Sequence, residues 1–143
     1  MRDYLIAEIP LLRFCSRCIQ AETAIMGCST VLTLSLEVTP QEVRQRIEAG
    51  EKLALIDVRE PGEFQLARIG GAELIPMRTV PAELSRLDAQ AEETPLIVFC
   101  HHGVRSLNVV NWLRGQGVEA CQSIAGGIDR WSLEIDPSIP RYS

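Results

Sequence analysis

Short apolar segments alternate with amphipathic segments along most of the chain. The apolar runs at residues 53–58 and 96–99 contain few polar interruptions, which is typical of strands buried on both faces of a parallel sheet. Over residues 104–115 apolar side chains recur at every third or fourth position, from Val104 to Leu113. This spacing predicts a helix with one apolar face directly after the second of these strands.

The same pattern, read along the rest of the chain, predicts alternating strands and helices. Thr39, Pro40 and Glu42 form the start signal of a helix, with a capping residue, a proline at the first helical position and a capping-box carboxylate. The predicted strands cover residues 31–38, 53–58, 72–75, 96–99 and 120–124, and the predicted helices cover residues 40–49, 61–65, 79–87, 104–115 and 128–135. Such alternation predicts an α/β three-layer domain, a central parallel sheet of about five strands with helices on both faces.

Length and composition fit one domain of ordinary size. The chain has 143 residues and a net charge of -5, without a cluster of basic residues that would favour nucleic acid, and without an apolar stretch of membrane-spanning length. We assign residues 31–143 to the domain and residues 1–30 to an N-terminal extension without a clear period. For this extension a lipoprotein-like cleavage box before Cys28 and a translation start at Met26 are both open.

Five cysteines are an odd number for a disulfide scaffold in a chain that has enough apolar residues for a core. A reducing compartment, the cytoplasm, is the corresponding prediction. Cys15 and Cys18 form a single Cys-x-x-Cys pair that lacks the partners of a zinc site, and we assign it no function. Cys121 lies in a predicted strand, where packing is its expected role.

Cys100 is the cysteine whose surroundings favour chemistry. It follows the predicted strand at residues 96–99, and a short loop with Gly103 leads from it into the next helix. Open α/β sheets bind ligands at the carboxyl ends of their strands. Loop N–H groups and the helix N-terminus would favour the thiolate, which is the reactive form, whereas a buried structural cysteine is the alternative.

Three segments resemble the rhodanese-like sulfurtransferases. Residues 100–106, Cys-His-His-Gly-Val-Arg-Ser, are similar to the active-site loop of that family. Residues 55–60, followed by Glu63-Phe64 and by residues 68–72, are similar to its first signature, and residues 125–131 to its last. The resemblance runs from about residue 36 to about residue 131 and implies a single-domain form of the family.

The resemblance implies a sulfur carrier that needs neither a cofactor nor a metal. Cys100 would take sulfur from thiosulfate or another persulfide donor as a persulfide and pass it to a thiol or to cyanide, or to thioredoxin or a sulfur-relay protein. The substrate-binding residues would be His101, His102, Gly103, Val104 and Arg105. The two histidines would line the pocket rather than act as bases, and Arg105 would bind an anionic donor or tether the loop to a carboxylate.

Further residues have structural alternatives beside a functional role. Arg59 could contribute to anion binding, but a structural ion pair with Asp57 is the alternative that we favour. Ser106 is expected to satisfy backbone donors at the helix start, and Trp131 to lie in the core.

Two other functional classes stay open. A cysteine-dependent phosphatase or arsenate reductase on the same fold would use a Cys-x5-Arg loop, whereas Cys100 and Arg105 form Cys-x4-Arg, a smaller ring that suits a single sulfur atom. A non-catalytic binding module of this fold is the third class, although the cysteine at the nucleophile position argues against it.

Overall fold

Parallel strands and helices alternate along residues 34–143, which are the residues that the computed structural model describes. The strands of this part are β1 (Glu37–Val38), β2 (Ala54–Asp57), β3 (Glu73–Leu74), β4 (Leu96–Phe99) and β5 (Cys121–Ile124). The α-helices are α1 (Pro40–Glu48), α2 (Pro61–Leu66), α3 (Leu84–Glu93), α4 (Val104–Gly115) and α5 (Gly127–Glu134), and a 3-10 helix covers Met77–Glu83.

The strands form one sheet in the order β1-β5-β4-β2-β3, and every neighbouring pair is parallel. Strand β4 lies at the centre, between β2 and β5. Asp57 at the end of β2 pairs in register with Phe99 at the end of β4. The carboxyl ends of these strands therefore lie side by side, and the residues that follow them meet at one edge of the sheet.

Side chains of the central strands alternate between two buried layers, which explains why their sequences are apolar throughout. On one face, Val98 and Cys100 pack with residues of α3 and α4 such as Leu87 and Val110. On the other face, apolar strand residues pack with α1 and α5, in a cluster that includes Ile97, Phe99, Val43, Ile128 and Trp131. The predicted fold class is confirmed, and Trp131 is a core residue as expected.

The start of α1 follows the predicted capping pattern. The hydroxyl of Thr39 accepts a hydrogen bond from the N–H of Glu42, and the carboxylate of Glu42 accepts one from the N–H of Thr39. Both groups thereby satisfy N–H groups that have no partner within the helix.

The prediction of one helix over residues 79–87 is wrong in its bounds. The chain runs through the 3-10 helix first, and α3 begins at Leu84 and continues to Glu93. Pro81 lies inside the 3-10 segment. Its ring blocks the regular α-helical hydrogen-bonding pattern, so that the α-helix starts only after it.

The first strand is shorter than the predicted 31–38, since only Glu37–Val38 is a strand and residues 31–33 lie outside the described residues. The extension at residues 1–30, with Cys15, Cys18, Met26 and Cys28, also lies outside them. Among the helices of the described part, none combines the length and the apolar character that crossing a bilayer requires.

Helix α4 depends on Leu113, which is 1% exposed and lies in the cluster that contains Cys100. We expect Leu113→Ala to lower the free energy of unfolding by about 2–5 kcal/mol, because the substitution leaves a cavity. Urea denaturation measures this loss. The matched control is Leu133→Ala, since Leu133 is 57% exposed, and equal losses in the two variants would contradict the prediction.

Candidate active site

Cys100 is the first residue after β4, and its side chain is turned into the protein, with the residue only 1% exposed. The N–H of Gly103 points at its sulfur, with 3.1 Å between N and Sγ. Gly103 has a φ of 98°, a left-handed conformation that residues with a side chain rarely adopt. The loop thus bends back so that one of its own N–H groups reaches the sulfur three residues earlier.

A pair of serine hydroxyls lies on the α4 side of this sulfur. The Oγ of Ser106 is 3.5 Å from Cys100 Sγ, and it is also 2.8 Å from the Oγ of Ser123 in β5. Both serines are fully buried. The expectation that Ser106 caps backbone donors is wrong, because its backbone contact is with an acceptor, the carbonyl oxygen of Gly103.

Helix α5 holds the other side of the Cys100 loop. The carbonyl of Cys100 accepts a hydrogen bond from the N–H of Ile128 at 2.8 Å, and that of His101 accepts one from Asp129 at 3.1 Å. In trans peptides the next N–H points opposite to each carbonyl, so the N–H groups of His101 and His102 point away from α5. Gly127 permits this approach, because a Cβ there would lie 2.3 Å from the carbonyl oxygen of Cys100.

Arg105 lies at the end of the loop and forms a bidentate ion pair with Glu63, which lies in the first turn of α2. The two terminal nitrogens of its guanidinium lie 2.8 and 2.7 Å from the two carboxylate oxygens. The hydrogen bonds from Arg105 are the main reason that the pKa of Glu63 falls to about 2, and the same pairing raises the pKa of Arg105. Of the two roles expected for Arg105, this is the tether, and anion binding stays a prediction.

Arg59 lies under the same edge of the sheet, where both it and Asp57 are 0% exposed. Its guanidinium donates to the Asp57 carboxylate, to the carbonyls of Glu63 and Ala67, and to the hydroxyl of Tyr142. Burial opposes its charge, but the hydrogen bonds outweigh that cost and raise its pKa. Because all five N–H donors are engaged, the contacts favour the structural ion pair over anion binding by Arg59.

Three rings stack beside the loop. The ring centroid of His101 lies 3.8 Å from that of His102 and 4.1 Å from that of Tyr142. The Nε2 atom of His101 is buried without a hydrogen-bond partner, and burial, together with the neighbouring His102, lowers the pKa of His101. The lowered pKa favours the neutral form of the ring, and the role of lining the site stays a prediction.

The remaining expected site residue, Val104, begins α4 and is 69% exposed. The prediction that it lies on the buried face of that helix is therefore wrong, and its role in substrate binding stays a prediction. Cys121 is buried, its thiol donates to the carbonyl of Val118, and burial raises its pKa, in agreement with a packing role. Over residues 34–143 no group of three metal-ligating side chains is present.

Sequence reasoning assigned no role to Glu63, Ser123 or Tyr142. Glu63 was part of a recognised segment, and its position in a first helical turn was readable from Pro61. Its partner was not, because Arg105 lies 42 residues further along the chain. Tyr142 lies 79 residues from Glu63, in a tail that has no regular pattern.

The comparisons with known proteins agree with this arrangement. A sequence model described as the rhodanese-like domain matches residues 39–134. The chain is a member of the rhodanese-like domain family. The match covers all the α-helices of the described residues and every strand of the sheet apart from β1.

The match covers almost all of one curated relative and only a part of another. This rhodanese-like domain is 35% identical over 101 residues to the putative sulfurtransferase YtwF of Bacillus subtilis, covering 71% of this chain and 94% of that protein. It is 40% identical over 96 residues to the chloroplastic rhodanese-like/PpiC domain-containing protein 12 of Arabidopsis thaliana, covering 64% of this chain. The chain spans 31% of the length of that relative and about a quarter of the length of other curated relatives.

Among solved structures, the human single-domain sulfurtransferase TSTD1 is similar to this rhodanese-like domain. The TM-score is 0.60 at 28% sequence identity, and the match covers 70% of this chain and 97% of that one. The structure of a possible tyrosine phosphatase from Rhodopseudomonas palustris matches with a TM-score of 0.60 at 18% identity, which shows a shared fold alone.

The contact between Gly127 and the Cys100 loop can be tested by substitution. We expect Gly127→Ala to lower the free energy of unfolding by more than about 1 kcal/mol, since φ is +61° and the new Cβ would meet the carbonyls of Cys100 and His101. Thermal or urea unfolding measures the loss. Gly62→Ala is the matched control, because nothing lies within 4 Å of a Cβ placed there, and a Gly127→Ala variant as stable as this control would refute the close contact.

Proposed function

We propose that this domain transfers a sulfane sulfur from thiosulfate or another persulfide donor to a thiophilic acceptor, with Cys100 as the carrier. The observation that carries the proposal is the N–H of Gly103 directed at Cys100 Sγ, at the N-terminus of α4. A sulfur held in this way meets a hydrogen-bond donor and the positive end of a helix.

The reaction consists of two displacements at sulfur. The Cys100 thiolate attacks the outer sulfur of thiosulfate, an S–S bond forms, and sulfite leaves with the electron pair of the broken bond. An acceptor such as cyanide then attacks the outer sulfur of the Cys100 persulfide, so that thiocyanate is released and the thiolate is regenerated. In each step a sulfur atom passes from one reactant to the other without an external oxidant or reductant, so no redox cofactor is required.

The loop provides donors for the negative charge that both steps place on sulfur. The N–H groups of Val104, Arg105 and Ser106 open α4 and have no partner within that helix. The N–H groups of His101 and His102 point away from α5, toward the face of the sheet that carries the Cys100 side chain. Donors already oriented before the reaction stabilise developing charge at little cost in reorganisation.

Burial of Cys100 favours donors whose sulfur is a terminal atom. With 1% of the residue exposed, a thiol nucleophile in this position can be reached only by a narrow group. The outer sulfur of thiosulfate or of a persulfide meets that requirement.

We extend the proposal to a cytoplasmic location and to acceptors that are small thiols, cyanide, thioredoxin or a sulfur-relay protein.

The first test is the role of Cys100 itself. We expect Cys100→Ser to abolish formation of thiocyanate from thiosulfate and cyanide, because a hydroxyl does not form the persulfide. Intact mass of the thiosulfate-treated wild type should show an adduct of about +32 Da, one sulfur atom, that a reductant removes.

Cys121→Ala is the matched control, because Cys121 is a buried cysteine on the neighbouring strand β5, and it should keep both the activity and the adduct. Transfer that survives Cys100→Ser would refute the assignment. Hydrolysis of aryl phosphates without sulfur transfer would favour a phosphatase.

A pair of variants separates the two roles of Arg105. If Arg105 binds the anionic donor, Arg105→Ala should raise the KM for thiosulfate by about tenfold or more, the usual effect of losing a charged hydrogen bond. Glu63→Gln should lower that KM, because it removes the carboxylate that competes for the guanidinium. Steady-state kinetics with thiosulfate measures both, and an increase of similar size in the two variants would show that Arg105 acts only as a tether.

A further inference from the structure

The C-terminal tail is fastened to the domain at two points before it reaches the active site. The hydroxyl of Ser132 in α5 donates to the carbonyl of Ile139 at 2.6 Å, and Ile139 is buried. Arg141 then binds the carboxylate of Asp129, with nitrogen–oxygen distances of 2.7 and 3.1 Å. Asp129 is the residue whose N–H binds the carbonyl of His101. These contacts carry the tail along α5 toward the Cys100 loop.

Tyr142 ends this path between three residues of the site. Its hydroxyl accepts a hydrogen bond from Arg59 at 2.6 Å and donates one to Glu63 at 3.1 Å. The direction is fixed, because a guanidinium can only donate and an ionised carboxylate can only accept. Its ring stacks on that of His101 with an angle of 11° between the planes.

We propose that Tyr142 is a positioning residue of the active site, which fixes both ends of the Cys100 loop at once. One end is held directly, through the stacked ring of His101, which follows Cys100 in the chain. The other end is held through Glu63, whose carboxylate binds Arg105. The inference rests on the proposed function only for its consequence in sulfur transfer.

The Glu63 carboxylate explains why one hydroxyl matters. It accepts four hydrogen bonds, two from Arg105, one from the N–H of Glu60 and one from Tyr142. Burial raises the pKa of Tyr142, which keeps the phenol protonated and able to donate. Without this donor, Glu63 is held at one oxygen by Arg105 alone, and Arg105 would be less well fixed.

The placement of Tyr142 is specific to the tail rather than to the family match. The rhodanese-like match ends at residue 134, eight residues before Tyr142. The tail therefore adds an interaction to the loop from outside the matched segment.

Two full-length variants test the proposal. Tyr142→Phe keeps the stacked ring and loses both hydrogen bonds, and Tyr142→Leu loses the stack as well. The control is Ser143→Ala, at the exposed neighbouring residue. One readout is alkylation of Cys100 by iodoacetamide at fixed pH, followed by peptide mass, and the other is kcat and KM for sulfur transfer from thiosulfate to cyanide.

We expect Tyr142→Phe to lower both the alkylation rate of Cys100 and kcat by up to about tenfold, the effect of losing the one hydrogen bond that holds Glu63, with little change in KM. Tyr142→Leu should lower them further, and Ser143→Ala should match the wild type. A merely structural role would lower the unfolding temperature and leave both rates unchanged, and that result would overturn the proposal.

The two readouts separate this inference from the proposed function. A wild type that transfers no sulfur, while Tyr142→Phe still slows alkylation, would refute the function and support the positioning role. If the wild type transfers sulfur and Tyr142→Phe equals it in both rates, the function is supported and the positioning role of Tyr142 is refuted.

Discussion

The hydrogen bonds between the start of α5 and the carbonyls of Cys100 and His101 set the direction of the peptide groups in the Cys100 loop. A peptide group is planar and trans, so a carbonyl that is held on one side places the following N–H on the other. Because the carbonyls are drawn toward α5, the first N–H groups of the loop point away from it. The chemistry proposed for Cys100 depends on this polarity, and hence on the closeness of α5 that Gly127 permits.

Charge in the site is arranged as pairs rather than as isolated groups. Asp57 neutralises the fully buried Arg59, and Glu63 neutralises the partly exposed Arg105. The first pair is a structural support below the loop, because burial of either charge alone would be costly. The second pair lies at the end of the loop, where its charges stay closer to solvent. An anionic donor would therefore meet a guanidinium already bound to a carboxylate, and backbone N–H groups would carry much of the stabilisation of sulfur.

Local patterns in the sequence were sufficient for the elements that carry Cys100. Strand β4 and helix α4 begin and end at the residues that the apolar spacing predicts, and the capping box of α1 is formed as expected. The pattern was wrong for Val104, which is 69% exposed, whereas Ser106 in the same turn of α4 is fully buried. A repeated spacing of three residues drifts around an α-helix, which has 3.6 residues per turn, so Val104 lies on the opposite side of α4 from the buried Leu113.

Local sequence patterns could not predict the side-chain contacts around the Cys100 loop. The pair of Arg105 with Glu63 and the contacts of Tyr142 join residues that are 41 to 83 positions apart. Such partners are brought together by the parallel topology, in which successive strands end at the same edge, and no local spacing encodes them. The sequence motif identified Cys100, the proposed nucleophile, and its loop, whereas the fold supplied the groups that hold them.

The contacts of Tyr142 have a practical consequence for handling the protein. Its side chain contacts Arg59, Glu63 and His101, so a polypeptide attached close behind it would crowd the Cys100 loop. An affinity tag or a reporter placed there should therefore be cleavable, or follow a spacer long enough to leave these three contacts intact.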